Sequence, residues 1–269
     1  RSRGASGVVE PWVQWARPPP GFRTQTGWPE WRAAPAWPIR SALHPSGRDP
    51  RFCVSCSFVP NEILHLDLDG AWPAEISLPT RDLREWGPRL RFSAPARQIA
   101  AFEQAIGEKL PPFLVYGSGD FHHLTALWVR RQPRLTTVVS FDNHPDWDIR
   151  PPRWGCGSWV NRALEWSQVK KVSVWGCGNF ECWWPGRIFG NNRAERAGRL
   201  EVHPWADERS GRDQARRGAI LQNSWREKFS EFVRRLAGTP VYVTIDPDCR
   251  RAEGAGTNWE NGRLGGDDV

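Results

Sequence analysis

Thr137-Val138-Val139-Ser140-Phe141-Asp142-Asn143-His144-Pro145-Asp146 is the stretch that decides how this chain reads. Five uncharged residues, mostly β-branched or apolar, give way to two carboxylates and an imidazole at alternate positions. Such a run, without a charge and rich in valine, is a buried strand. Residues two apart on extended chain point the same way. Asp142, His144 and Asp146 therefore converge at the carboxyl end of that strand. The run Val241-Tyr242-Val243-Thr244-Ile245 repeats the pattern and ends in Asp246-Pro247-Asp248. Five oxygen and nitrogen ligands at two strand ends suit a pair of divalent ions of the Mn²⁺ or Fe²⁺ kind better than a thiolate-loving ion.

Outward from these two strands the pattern alternates. Residues 63–68 and 113–116 read as strands, as do 171–175 and 200–203. A helix is predicted over 95–109, with Ile99, Phe102 and Ile106 on one face. Others are predicted over 122–131, over 158–167 with Ser158 as cap, and over 213–236 with Leu221, Trp225, Phe229, Phe232 and Leu236 facing inward. Apolar strands alternating with helices imply an α/β fold, a parallel sheet covered by helices. Ligands of such sheets bind at the carboxyl ends of the strands. Both acidic clusters lie there, and Gly117-Ser118-Gly119-Asp120-Phe121-His122-His123 follows a third strand.

Length and composition bound the rest. The chain has 269 residues, enough for one large α/β domain, and is 39% hydrophobic. It contains no Met and stops at Gly265-Gly266-Asp267-Asp268-Val269, so it reads as a fragment truncated at both ends. No apolar run approaches transmembrane length and no signal peptide is visible, so a cytoplasmic protein without membrane contact is expected. The net charge is +7, but residues 1–51 hold eight Arg against three acids and so carry most of it. The leader, 1–58, is rich in Pro, Arg and Trp, lacks periodicity, and reads as an irregular or disordered arm. Nucleic acid is therefore not an expected partner. Cys53-x-x-Cys56 has zinc spacing, yet Cys177 and Cys182 are spaced differently and lie far away; reduced thiols are the reading taken.

The clusters together resemble the arginase/agmatinase (ureohydrolase) family. That family carries a Gly-Gly-Asp-His turn, then Asp-Ala-His-x-Asp, then Ser-Phe-Asp-x-Asp, each after a strand. The corresponding segments here are Gly117–His123, Asp142–Asp146 and Ile245–Asp248, and Thr257–Leu264 is similar to a later Thr-Pro-x-x-Gly-Gly-Leu segment. The resemblance implies a three-layer α/β/α sandwich over residues 59–269, with its C-terminal part missing. It also implies two divalent metals, Mn²⁺ in this reading. Asp142 and Asp246 would be the catalytic carboxylates bridging both metals. Asp146 and a histidine of the first motif would complete one ion, His144 and Asp248 the other. Phe121 intervenes in that first motif, so His122, His123 or Asp120 can stand at the ligand position; His122 is the expected ligand. A water between two cations ionises near neutral pH. The implied reaction is its attack on an amidine or guanidine carbon, a non-peptide C–N bond. Cys156 stands where the family's arginases carry a proton-shuttling histidine, and the acid that would bind a guanidinium falls beyond Val269.

Asp67 and Asp69 read as a turn into Gly70, and His65 and His203 as structural histidines. Trp147, Trp154, Trp159, Trp183 and Trp184 either wall a pocket or pack ordinarily. The rival readings are a deacetylase-like amide hydrolase on the same fold, and a non-catalytic metal-binding protein whose basic arm contacts nucleic acid. The substrate would be a small amidine, guanidine or amide, and a homo-oligomer is open. Deletion of residues 1–51 is expected to leave thermal stability and metal content nearly unchanged; loss of cooperative unfolding would show that the arm is structural.

Overall fold

The computed structural model describes residues 62–73 and 77–269. The leader and Cys53-x-x-Cys56 lie outside the described residues. The chain runs through β1 (Ile63–Asp67), β2 (Thr80–Asp82), α1 (Gly87–Leu90), α2 (Ala96–Ile106), β3 (Phe113–Tyr116), α3 (Thr125–Arg130) and β4 (Thr136–Phe141). It continues through α4 (Trp159–Leu164), β5 (Val169–Cys177), α5 (Asn192–Arg196), β6 (Leu200–Pro204), α6 (Gly211–Gln214), α7 (Trp225–Arg235) and β7 (Val241–Ile245).

The strands form two sheets, ordered β2-β1-β3 and β6-β5-β4-β7, and every pairing is parallel. The fold is thus mixed α/β with parallel sheets. β4 is buried along its whole length between β5 and β7, as its uncharged run requires. Its register decides the site. Phe141 pairs with Ile245, and the Asp246 N–H donates to Phe141 O at 2.9 Å. Asp142 and Asp246, the next residues along, therefore leave adjacent parallel strands at one level.

The helix over 96–106 buries Ile99, Phe102 and Ile106 on the expected face. It starts after Pro95 and stops at Gly107, whose φ of +78° with extended ψ is a conformation open to glycine and ends the helix. Phe102 is fully buried between Trp86 and Trp128, with ring centroids 5.5 and 6.3 Å away. The helix predicted over 122–131 begins as a 3₁₀ turn, Gly119–Leu124, before α3. Asp67 accepts from the Gly70 N–H at 2.7 Å, and Gly70 has a φ of +67°, so this segment is the expected turn.

One prediction is corrected. The single helix expected over 213–236 is two helices, α6 and α7, with turns and one bridge residue, Ile220, between. Gly218 breaks it. Its φ is +87°, and a Cβ there would lie 2.5 Å from Val202 O. Ile220 beyond it donates to Pro204 O and accepts from the Ala206 N–H, both at 2.9 Å, continuing β6. Pairing with that sheet edge outcompetes helix propensity. The three-residue strand partner of β1 on its outer side, β2, also went unpredicted, since Thr80-Arg81-Asp82 is exposed and carries no apolar signal.

Among the described residues no helix is long and apolar enough to cross a membrane. Phe102→Ala is expected to destabilise the fold by about 3–5 kcal/mol, because the cavity between two indoles cannot close. Urea unfolding measures this, with the exposed Ile149→Ala, expected within ~0.5 kcal/mol of wild type, as control.

Candidate metal centre

The parallel register brings the two acidic motifs together, and the 3₁₀ turn after β3 adds His122. The His122 Nδ1 lies 3.1 Å from Asp142 Oδ2, 3.4 Å from Asp146 Oδ2 and 3.4 Å from Asp246 Oδ2. His144 Nδ1 lies 2.8 Å from Asp248 Oδ2 and 3.7 Å from Asp142 Oδ1. Two groups with metal-ligand spacing result: His122, Asp142 and Asp246, and Asp142, His144 and Asp248. Asp142 belongs to both, one oxygen turned to each histidine. Asp246 falls in the first group, and Asp146 borders it.

The neighbours orient these atoms. His122 Nε2 lies 3.1 Å from Thr244 Oγ1, so with Nε2 protonated the Nδ1 lone pair faces the carboxylates. The Trp159 indole N–H donates to Asp146 Oδ2 at 2.5 Å. The Asn143 N–H donates to Asp248 Oδ1 at 3.1 Å, and the His144 N–H to Asp142 Oδ1 at 2.7 Å. Gly119 sits so close that a Cβ there would lie 2.9 Å from Asp246 Oδ1, so only glycine lets the 3₁₀ turn approach. Asp146 itself has a φ of +45°, a conformation uncommon for a residue with a side chain and found enriched at functional sites.

Within this frame His122 Nδ1 and Asp142 Oδ2 lie buried 3.1 Å apart without a well-directed hydrogen bond. Buried polar groups without one are rare and costly. These two face each other in the first ligand group, and a divalent cation fits both. The electrostatics agree. Burial disfavours charging His122, yet its contacts with Asp142 and Asp146 outweigh it and hold its pKa well above the ordinary value. Burial opposes the charge on His144 likewise, but Asp142 and Asp248 push its pKa up to about 12. Burial raises the pKa of Asp246 to about 7, with His122 opposing and the Asp142 and Asp248 charges assisting, and those of Asp146 and Asp248 also rise. Asp142 moves the other way: burial would raise it, but both imidazoles hold it low. Without a metal, protons do the work of cations among crowded carboxylates.

The other first-motif candidates lie elsewhere. His123 Nδ1 is 3.4 Å from Cys156 Sγ, and burial together with the His122 charge lowers its pKa to about 3. Asp120 pairs with Arg91 at 2.6 Å and accepts from the Trp259 indole N–H at 3.0 Å. The Cys156 thiol donates to Asp120 O at 3.1 Å, and burial pushes its pKa up, so it stays protonated at neutral pH. His65 and His203 are structural: His65 Nδ1 lies 3.2 Å from Thr80 Oγ1, and His203 stacks on Trp175 at 3.6 Å. Trp147, Trp154, Trp159 and Trp183 are core residues, whereas Trp184 is exposed. Sequence reasoning missed Thr244, Trp159 as a partner of Asp146, and Trp259 against His144. Thr244 was legible in principle, since it precedes Asp246 by two and so shares its direction.

No family model matches the chain, and no solved structure matches it. It is 27% identical over 154 residues to an uncharacterized protein of Thermotoga maritima. That match takes in 57% of this chain and 48% of the relative, so the chain spans about half the length of the curated relative it matches.

A metal taking a neutral imidazole at His144 must expel the proton held there at neutral pH. Manganese uptake is therefore expected to release protons, and apparent affinity to rise between pH 6 and 8 by roughly tenfold per pH unit for each proton released. Titration calorimetry in two buffers of different ionisation enthalpy checks this; uptake without proton release would contradict the charge state assigned to the cluster.

Proposed function

We propose that this chain carries the metal site of a dinuclear metallohydrolase of the ureohydrolase type. Its sheets would belong to a three-layer α/β/α sandwich, and the reaction would cleave a non-peptide C–N bond of a small amidine, guanidine or amide in the cytoplasm. The observation that carries this reading is the sharing of Asp142 by two ligand groups, one completed by His122 and Asp246, the other by His144 and Asp248. The parallel strand order supports it too, because the groups lie at the carboxyl ends of adjacent strands, where α/β proteins bind ligands.

The donor set is all carboxylate and imidazole, which suits Mn²⁺ or a similar ion. His122, Asp142, Asp146 and Asp246 would hold one ion, and Asp142, His144 and Asp248 the other, with Asp246 proposed as a second bridge. When bound, the pair would supply Lewis acidity and a water acidic enough to ionise near neutral pH. The protein's own residues do the rest. Thr244 and Trp159 fix the orientation of His122 and Asp146. Asn143 fixes Asp248 through its N–H and ties the loop over the site through its side chain, which donates to Glu260 O at 2.8 Å. The Cys156 thiol cannot serve as a base at neutral pH, so proton transfer falls to the carboxylates and water.

In the manganese-loaded protein, hydrolysis is to be followed as urea, ammonia, amine or acetate release from guanidines, amidines and acetylated amines. Asp142→Asn is expected to lower turnover by at least ~100-fold and to reduce bound manganese, with circular dichroism unchanged. Full turnover at full metal content in that variant would remove the shared carboxylate from the chemistry.

A further inference from the structure

The ligand side chains are not equally shielded. Those of His122, Asp142, Asp146, Asp246 and Asp248 expose at most 8%, whereas that of His144 exposes 18%. Solvent therefore reaches the cluster past His144. Trp259 stands there, its ring centroid 5.6 Å from the imidazole and its plane nearly perpendicular to it. Phe92 packs edge-on against Trp259 at 6.1 Å. Trp259 is 42% exposed and Phe92 49% exposed, although the tryptophans nearer the core are buried.

Both rings are held in place from one residue. The Trp259 indole N–H donates to one carboxylate oxygen of buried Asp120, at 3.0 Å, and Arg91 Nε donates to the other, at 2.7 Å. The backbone of Asp120 accepts from the Phe92 N–H at 2.8 Å, while Phe92 O accepts from the Cys156 N–H at 2.9 Å. Those two bonds keep Phe92 at a φ of +63°, a genuine outlier for a bulky residue and one that persists only where its surroundings over-determine it. The loop bearing Trp259 is tied to the ligand segments as well: the Gly262 N–H donates to Asp248 O at 2.6 Å, next to the Asn143–Glu260 bond. Strain and buried polar bonds are thus committed to presenting two aromatic rings to solvent beside the metal ligands.

We propose that Trp259 and Phe92 form one wall of the substrate pocket and select substrates whose scissile amidine or amide carries a flat, apolar aryl group. This rests on the metallohydrolase reading of the same site. Aromatic rings offer a large, rigid contact to another ring, in stacked or edge-on geometry. The wall offers a charged substituent little, because Asp120 and Arg91 neutralise each other and both Asp120 oxygens are occupied. Trp259 and Phe92 act on specificity, with no part in bond breaking.

The test uses the full chain loaded with manganese and two amidine probes, benzamidine and acetamidine, with binding read by calorimetry. Wild type is expected to prefer benzamidine. Trp259→Ala is expected to weaken benzamidine at least tenfold and acetamidine less than twofold, at unchanged metal content. Trp259→Phe should retain most of the preference, and Phe92→Ala should lose part of it, so the idea stays testable if the alanine variant at 259 folds poorly. Equal losses for both probes, no loss for either, or a wild type that binds neither or does not tell them apart would overturn the proposal. The hydrolase reading fails separately, through absent metal or absent turnover: aryl selectivity can vanish while hydrolysis persists, and can persist in a protein that hydrolyses nothing.

Discussion

Four aspartates and two histidines share a space that water barely enters, and that crowding of like charge is the constraint to which the surrounding structure answers. Moving an ion out of water costs several kcal/mol even after relaxation, unless paired charge and hydrogen bonds compensate. Two imidazoles do not balance four carboxylates. The metal-free cluster responds by keeping protons on its histidines and raising the pKa of Asp146, Asp246 and Asp248. Divalent cations would remove the imbalance, and His122 Nδ1 and Asp142 Oδ2, 3.1 Å apart without a well-directed hydrogen bond, mark where one of them fits.

Much of the architecture follows from the need to hold this cluster together. The β4–β7 register sets Asp142 level with Asp246. The 3₁₀ turn after β3 brings His122 in from a third segment, and Gly119 lets it come close enough. The start of α4 supplies Trp159 to Asp146. Each of these devices acts on a cluster residue through one hydrogen bond or one close approach, so a small displacement of a strand end is felt directly in the site.

The strands and their acidic ends were legible because both signals are local. An uncharged β-branched run gives the strand and the acids mark its end, but the period-two argument does not carry past it: β4 ends at Phe141, and Asp146 reaches the site through a φ of +45° rather than through extended chain. The ambiguity among Asp120, His122 and His123 was not resolvable from spacing, since a 3₁₀ turn follows neither strand nor α-helical periodicity. The break at Gly218 escaped for a different reason: the amphipathic pattern over 213–236 is real, but Ile220 gains more by extending β6 than by continuing a helix. Trp259 and Phe92 were invisible as a pair, being 167 positions apart and joined only through Asp120. Long-range tethers of that kind leave no periodic trace.

The central claim is that Asp142 is shared between two cations. Anomalous diffraction at the manganese absorption edge, on crystals of the manganese-loaded protein, tests it most directly. The expected map has two peaks, both in contact with Asp142, one beside His122 and the other beside His144. A map with no peak at Asp142, or with a single ion bound away from both histidines, would contradict it.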